Sequence, residues 1–196
     1  MMIVPIVLSS LYLAGNTIYE NITSETGGPV HWHADYEVWV CGEKLDFIDP
    51  KGLRGKIGSS SFHEHNDDRV HFEGTPKNIS DINLKNYFSI IGGELDLGHI
   101  IYPTNDGIIE YKDNDVCPGE NPGKLRVYVN GKLEEHFEDY VIYPDSSVPP
   151  GDCIIIIFDE TDEETTNKIC TSWEVAGWNY DSFERKEIII GDNTWK

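Results

Sequence analysis

The segment from Val30 to Val40 alternates between two kinds of side chain, and this alternation strongly limits how it can fold. Successive side chains of a β-strand point to opposite faces, so a period of two predicts a half-buried strand with one apolar face. A His-x-His pair then presents two imidazoles on the other face. The two sets are the apolar Trp32, Ala34, Tyr36, Val38 and Val40, and the polar His31, His33, Asp35 and Glu37.

A second His-x-His pair, His63 and His65, follows farther along the chain, and His71 lies beyond it. The residues Asn66 to Asp68 favour a turn, so Phe62 to Phe72 is predicted to form a hairpin. If the loop is Asn66 to Asp68, His63 lies opposite His71 on one face. A two-residue or four-residue loop would instead move His71 to the other face.

Five of the seven histidines therefore lie within one segment of the chain. Neutral imidazole is a favoured ligand of zinc and copper, so we predict a zinc or copper site here. One pair alone would be the solvated face of an ordinary strand, but the second pair favours a metal. Glu37 and Glu73 are candidate carboxylate ligands or partners that orient an imidazole, and His99 and His136 are expected to have ordinary roles. The candidate ligands are His31, His33, His63, His65 and His71.

The charges of the chain are far from balanced, with 35 acidic against 15 basic residues and a formal net charge of −20. This balance argues against nucleic-acid binding, because phosphate recognition needs a basic surface. An acidic surface attracts cations, which fits a metal site. With 196 residues, 39% apolar and 11% aromatic, the chain can fold around one core or two small ones.

The four cysteines contain no Cys-x-x-Cys pair, which argues against a zinc knuckle or a thioredoxin-type motif. Four cysteines allow three pairings, and we expect disulfides between Cys41 and Cys117 and between Cys153 and Cys170. The alternatives are free thiols in a reducing compartment, or cysteine ligands in the metal site. Two sequons predict glycosylation of an exported chain, at Asn21 and Asn78.

The N-terminal segment from Met1 to Ala14 is almost wholly apolar, and a helical pattern continues to Tyr19. It lacks a charged n-region, so it is not a standard signal peptide, and it is shorter than the roughly 20 residues that span a bilayer. A helix that is apolar on all sides must be buried in something. We expect a membrane or the core of a pilus-like filament rather than the core of its own domain.

Farther along, Leu84, Tyr87, Phe88 and Ile91 have helical spacing, with Ser80 or Asp81 as the N-cap and Gly92-Gly93 as the end. Asn130-Gly131 predicts a hairpin turn. The apolar run from Cys153 to Phe158 predicts a central strand. The other predicted strands are Lys44–Phe47, Leu95–Tyr102, Leu125–Lys132 and Tyr140–Tyr143.

The predicted fold is mainly β (α+β), with antiparallel sheets and hairpins, one short helix and a preceding hydrophobic helix. We divide the chain into an N-terminal helix (1–23), a histidine-rich β domain (30–160) and a C-terminal extension (161–196). The extension contains Trp173, Trp178, Trp195 and the run Glu187–Ile190. That run is expected to be a strand that completes its own sheet or the sheet of a neighbour.

The string from His31 to Phe47, HWHADYEVWVCGEKLDF, resembles the opening of a group of poorly characterised, mostly archaeal, membrane-anchored extracytoplasmic proteins. The histidine hairpin His63–Gly74, the helix 81–91 and the Val129–Lys132 hairpin followed by Gly151–Phe158 are also similar. The likeness covers roughly Val30 to Glu160. It implies an extracytoplasmic location, an N-terminal anchor and histidine metal ligands, and it implies no enzymatic activity. The N-terminal segment is shorter than the anchors of the group and lacks flanking basic residues, which favours the filament.

These features predict an extracellular surface structural protein, membrane-anchored or filament-forming through its N-terminal helix. One alternative is a metal-scavenging or electron-handling domain, for which copper is the better metal, and another is a plain adhesion domain. A cupin-like enzyme would use His31, His33 and Glu37 with His99, although the spacing after Glu37 departs from that motif. We expect no enzyme, because the sequence contains neither a nucleophile elbow nor a phosphate loop.

Overall fold

A computed structural model describes residues 3–53, 55–118, 121–142, 151–160 and 169–172. Several predictions concern other residues and lie outside the described part of the chain. They are the strand end at Tyr143, the tryptophans Trp173, Trp178 and Trp195, and the apolar run Glu187–Ile190.

The described residues form the predicted mainly β fold with two α-helices, α1 (Ile3–Thr23) and α2 (Leu84–Ile90). Eight of the described strands form one mixed sheet in the order β10-β9-β11-β1-β5-β4-β3, with β2 paired to β1, and β6-β7-β8 form an antiparallel sheet. The strands are β1 (Val30–Val40), β2 (Glu43–Lys44), β3 (Ile57–Gly58), β4 (Phe62–Glu64), β5 (Arg69–Gly74), β6 (Glu94–Asp96), β7 (His99–Thr104), β8 (Gly107–Lys112), β9 (Lys124–Val129), β10 (Lys132–Leu133) and β11 (Asp152–Asp159).

Strand β1 has the bounds that its alternating pattern predicts, and it lies in the middle of the large sheet. On one side β5 pairs with it antiparallel, with Trp32 opposite Phe72. On the other side β11 pairs with it in parallel, with Val38 opposite Ile156. This parallel pair differs from the predicted antiparallel arrangement, and the long chain between the two strands supplies the crossover that a parallel pair needs. Strand β11 is buried on both faces, as its apolar run predicts.

Both predicted hairpins are present. His63 of β4 lies opposite His71 of β5, which is the register that a loop at Asn66 to Asp68 predicts. His71 therefore lies on the same face of the sheet as His63. In the other hairpin Asn130 and Gly131 have φ values of 49° and 72°, as a two-residue turn between twisted strands requires.

The inner face of the large sheet packs against α2 and the small sheet. Its buried side chains include the apolar set of β1 together with Phe62, Val70 and Phe72. The Tyr87 ring of α2 lies 5.5 Å from the Tyr36 ring and 5.4 Å from the Phe62 ring. These aromatic contacts join the helix to β1 and β4. The opposite face, which carries the clustered histidines, is called the histidine face below.

Helix α2 contains the predicted buried positions, but its N-cap is Asn83 rather than Ser80 or Asp81. The Asn83 side chain accepts a hydrogen bond from the backbone N–H of Asn86, 2.8 Å away. Residues Ile79–Asp81 instead form a short 3-10 turn. The helix therefore begins later than predicted, because the cap is set by whichever side chain reaches the free N–H groups of the first turn.

Three predicted strands also differ from the structure. The segment 95–102 is a hairpin of β6 and β7 rather than one strand, because Gly98 turns the chain with a φ of 67°. Strand β8, which pairs with β7, was not predicted. Of the predicted strand 44–47, only Lys44 lies in a strand that pairs with β1, namely β2. Of the predicted strand 140–143, Val141 forms a single bridge with Asn83.

The histidine face is more covered than a half-buried strand predicts. His33, Asp35 and Glu37 are all buried there. Residues 169–172 lie over β1, where the Ser172 hydroxyl donates to Asp35 (2.5 Å) and the Thr171 backbone N–H donates to Glu37 (2.7 Å). The prediction of a half-buried strand is therefore wrong for the C-terminal half of β1, because a segment distant in sequence covers its polar side.

Helix α1 is exposed to solvent on nearly all of its surface, from Val4 to Thr23. Large apolar side chains such as Leu8, Leu11 and Tyr12 are more than half exposed. The helix is therefore not part of the core of its own domain. Within the described residues, no helix is both long enough and apolar enough to cross a membrane.

All four cysteines form disulfides, Cys41 with Cys117 and Cys153 with Cys170, which are the two pairs expected from the sequence. The alternatives of free thiols and of cysteine metal ligands are therefore wrong. Two disulfides in one small domain are typical of proteins in an oxidising environment outside the cytosol.

Candidate metal centre

Three neighbouring strands bring the five predicted histidines to one face. His33 of β1 lies opposite His71 of β5, and His71 lies opposite His63 of β4. The three residues form a row across the sheet, in which adjacent strands are about 4.8 Å apart. His31 lies two residues before His33 on β1, so the alternation of side chains brings it to the same face. His65 follows the end of β4, and its ring lies 4.9 Å from the rings of His63 and His71.

The imidazoles form two groups of three, and His71 belongs to both. In the first group, His31, His33 and His71 each offer a ring nitrogen, and these nitrogens lie within 4.8 Å of one another. In the second group, His63, His65 and His71 meet the same condition. We call them the first trio and the second trio. Three imidazole nitrogens at such distances could hold a metal ion.

Each trio combines different degrees of exposure. His33 is 8% exposed and His63 is 1% exposed, whereas His31 and His65 are exposed and His71 is intermediate. A metal ion in either trio would therefore have one ligand anchored within the fold and one at the surface. Such an arrangement holds an ion in place while leaving it accessible from solvent.

Burial also affects the protonation of the two inner histidines. Desolvation, together with the nearby His71, lowers the pKa of His33 to about 4. Desolvation and the ammonium group of Lys56 lower the pKa of His63 to about 4 as well. Both rings are therefore neutral at pH 7, which is the form that binds a metal. Among the described residues the Nδ1 atom of His33 is buried without a hydrogen-bond partner, so it can offer a lone pair to a metal ion.

Other groups orient the outer histidines. The Nδ1 of His65 lies 2.8 Å from the carbonyl oxygen of Gly55, which can only accept, so this nitrogen donates its proton and Nε2 keeps its lone pair. The Nε2 of His31 lies 3.0 Å from Glu73, and the Nε2 of His71 lies 3.2 Å from Asp67. The Gly55 carbonyl thus orients His65 as outer partners commonly orient metal-binding imidazoles, whereas Glu73 and Asp67 lie close enough either to accept from these nitrogens or to bind an ion beside them.

The two candidate carboxylates, Glu37 and Glu73, have different surroundings in the structure. Glu73 lies beside the first trio, in agreement with its predicted role. Glu37 is directed to other partners, because it accepts from the indole N–H of Trp39 (3.0 Å) and the Thr171 backbone and pairs with Lys44 (3.3 Å).

His99 lies on the small sheet between Glu94 and Glu110, at 3.2 and 3.1 Å. The cupin-like set is therefore not assembled in the described part of the chain.

Glu64 supports the candidate site through the turn between β4 and β5, and the sequence pattern did not predict this role. It is fully buried on the inner face, and its carboxylate accepts hydrogen bonds from the backbone N–H groups of Asn66, Asp67 (2.8 Å) and Asp68 (3.2 Å). It thus fixes the turn that sets the β4–β5 register. An acidic residue just before a turn-prone run is the signal that could have indicated this role.

The predicted glycosylation sites remain predictions. Asn78 is exposed, and its side-chain amide donates to Asp81 at 3.1 Å. Asn21 lies in α1 and is partly exposed.

Comparison with known proteins adds no assignment: no family model, curated protein or solved structure matches this chain.

Proposed function

We propose that this chain is an extracellular surface protein that binds zinc or copper through its histidine cluster, in a binding or structural role rather than a catalytic one. The observation that carries the proposal is the convergence of five imidazoles from three strands into two trios. Histidines scattered on a surface for other reasons would not be expected to bring their ring nitrogens within 4.8 Å of one another. Two buried rings with lowered pKa values and one unpartnered ring nitrogen add support.

The donor set favours zinc or copper. Imidazole nitrogen suits both metals, and since the cysteines are in disulfides no thiolate is available to select a softer site. A metal held by residues of β1, β4 and β5 would join three strands of the sheet, as structural metal sites do. Bound copper would instead favour the alternative of a metal-scavenging or electron-handling domain.

The location outside the cytosol is supported by the two disulfides and by the sequence resemblance to membrane-anchored extracytoplasmic proteins. Under this proposal α1 attaches the domain to a cell-surface structure. Its exposed apolar side chains would pack against a membrane or against the same helix of other copies, as in a filament.

Removal of residues 1–23 tests the role of α1. We expect the full chain to form filaments in electron micrographs, or to float with phospholipid vesicles, and the shortened chain to do neither. The shortened chain should keep its metal content, because the histidine cluster lies in the β domain. Unchanged self-association or vesicle binding without α1 would contradict this part of the proposal.

The metal site is tested by the metal content of protein purified without chelators or nickel resin. We expect stoichiometric zinc or copper in the wild-type protein and its loss in a His33→Ala/His65→Ala variant, which removes one ligand from each trio. A His99→Ala/His136→Ala variant loses the same number of imidazoles outside the cluster and should keep the metal. If wild-type protein remains metal-free even after incubation with zinc and copper salts, the proposed function is wrong.

A further inference from the structure

We propose that the histidine cluster is a two-metal site in which His71 is shared by two ions. The inference deepens the proposed function and rests on it. The two trios together use all five clustered histidines and have only His71 in common. A single tetrahedral ion takes four ligands, so one ion would leave part of the cluster without a role.

The position of His71 in the sheet places the trios on opposite sides of its ring. His71 lies on β5, the middle strand of the three, with His33 on one neighbouring strand and His63 on the other. The ring centroids of His33 and His63 lie 4.8 and 5.5 Å from that of His71. Neither group of ring nitrogens within 4.8 Å of one another contains both His33 and His63, so as placed these two rings serve separate ions on either side of His71.

Each trio also has its own carboxylate. Glu73 lies 3.0 Å from the Nε2 of His31, on the side of the first trio. Asp67 lies in the β4–β5 turn, two residues after His65, and its oxygens lie 3.2 and 3.4 Å from the Nε2 of His71. Two ligands bound at about 2 Å to one tetrahedral ion are separated by about 3.3 Å, so these contacts match the edges of two coordination shells.

These relations assign a nearly equivalent ligand set to each ion. The first ion would bind His31, His33, His71 and Glu73, and the second His63, His65, His71 and Asp67. An imidazole has a nitrogen on each of two edges, and the Nε2 of His71 faces Asp67. The second ion would therefore take Nε2 and the first ion Nδ1. To bind both ions, the ring releases its remaining N–H proton to solvent and becomes a bridging imidazolate.

Titration of the metal-free protein with Zn²⁺ tests this inference through stoichiometry. We expect two equivalents in the wild-type protein and one in each of His31→Ala/His33→Ala and His63→Ala/His65→Ala. The control His99→Ala/His136→Ala should bind two. A wild-type value of one would overturn the shared site and leave the proposed function intact, whereas zero would contradict both.

A second measurement needs no variant and therefore does not depend on the folding of one. Wild-type protein loaded with two equivalents of Cu²⁺ should give a weaker electron paramagnetic resonance signal than two isolated Cu²⁺ ions, because a bridging imidazolate couples their spins. One equivalent should give the full signal of a single isolated ion. Two bound ions with the full signal of two independent Cu²⁺ centres would show that His71 does not bridge them.

Discussion

The imidazole rings of His63 and His71 lie opposite each other on neighbouring strands, with their planes parallel within 1° and their centroids 5.5 Å apart. This relationship depends on a turn in which Asn66 and Asp68 have positive φ values. A change of one residue in the register would move His71 to the inner face. The arrangement of the candidate metal ligands therefore depends on the conformation of this turn.

Glu64 should be essential for that turn. Its carboxylate accepts three backbone N–H groups, and hydrogen bonds to a charged group are the stronger kind. We expect Glu64→Ala to lower the free energy of unfolding by about 2–3 kcal/mol and to weaken zinc binding as well. Urea unfolding and zinc titration measure the two effects. Glu43→Ala, at an exposed position on β2, should stay within about 0.5 kcal/mol of wild type, and an equally small effect at Glu64 would contradict the assigned role.

Replacing His71 should affect metal binding more than replacing any histidine outside the cluster. His71 belongs to both trios, so His71→Ala leaves two imidazoles on each side. We expect the zinc affinity to fall by more than about 100-fold, because loss of an outer-shell partner alone typically costs 10–100-fold. Competition with a coloured chelator measures this change. The control His99→Ala removes a ring whose nitrogens lie beside Glu94 and Glu110 on the small sheet, and comparable losses in the two variants would refute the distinction.

The metal-free protein should lose stability as the pH falls from about 6.5 toward about 4. His33 and His63 have pKa values of about 4 in the folded protein against an ordinary value of 6.5. The unfolded chain therefore takes up protons first, so their contribution is fully present above pH 6.5 and declines as the pH falls. The expected loss between pH 7 and pH 5 is about 2 kcal/mol per histidine.

Urea unfolding in the presence of a chelator measures this pH dependence. A His33→Gln/His63→Gln variant should lose most of it, while His99→Gln/His136→Gln should retain it. If the double variant at His33 and His63 keeps the wild-type slope, other groups cause the destabilisation.

The two disulfides should differ in their contribution to stability. Cys41–Cys117 spans 76 residues of sequence and Cys153–Cys170 spans 17. In the chain-entropy account, replacing both cysteines with serine should cost about 4–5 kcal/mol for the first pair and about 3 kcal/mol for the second. Urea unfolding of the two double-serine variants compares them. The opposite order would mean that the contacts of residues 169–172 with β1 matter more than the length of the loop.

The sequence predicted the parts of the fold that depend on local patterns. The alternation in Val30–Val40 gave the bounds of β1, and Asn130-Gly131 gave a hairpin. The N-cap of α2 was predicted at the wrong residue, and the hairpin at Gly98 was missed. Several side chains could have capped that helix, and several glycines could have turned the chain. The parallel β1–β11 pair was missed because it joins residues far apart in sequence.

The five candidate ligands were predictable because they follow a local pattern. Their division between two groups was not, because it depends on contacts between distant residues. Two His-x-His pairs on strands had to present their rings together, but their division into two trios depends on strand order in the sheet. The role of Glu64 depends on three backbone groups, and the burial of Glu37 depends on residues 169–172. Such contacts cannot be predicted from local sequence patterns.

Anomalous diffraction from crystals of zinc-loaded protein, recorded at the zinc absorption edge, tests whether the histidine cluster holds a transition metal. We expect strong peaks on the histidine face, about 2.0–2.1 Å from ring nitrogens of His33 and His63 and beside His71. A zinc-loaded crystal with no peak among these residues, or with its only peaks at sites such as His99 and Glu94, would contradict the account.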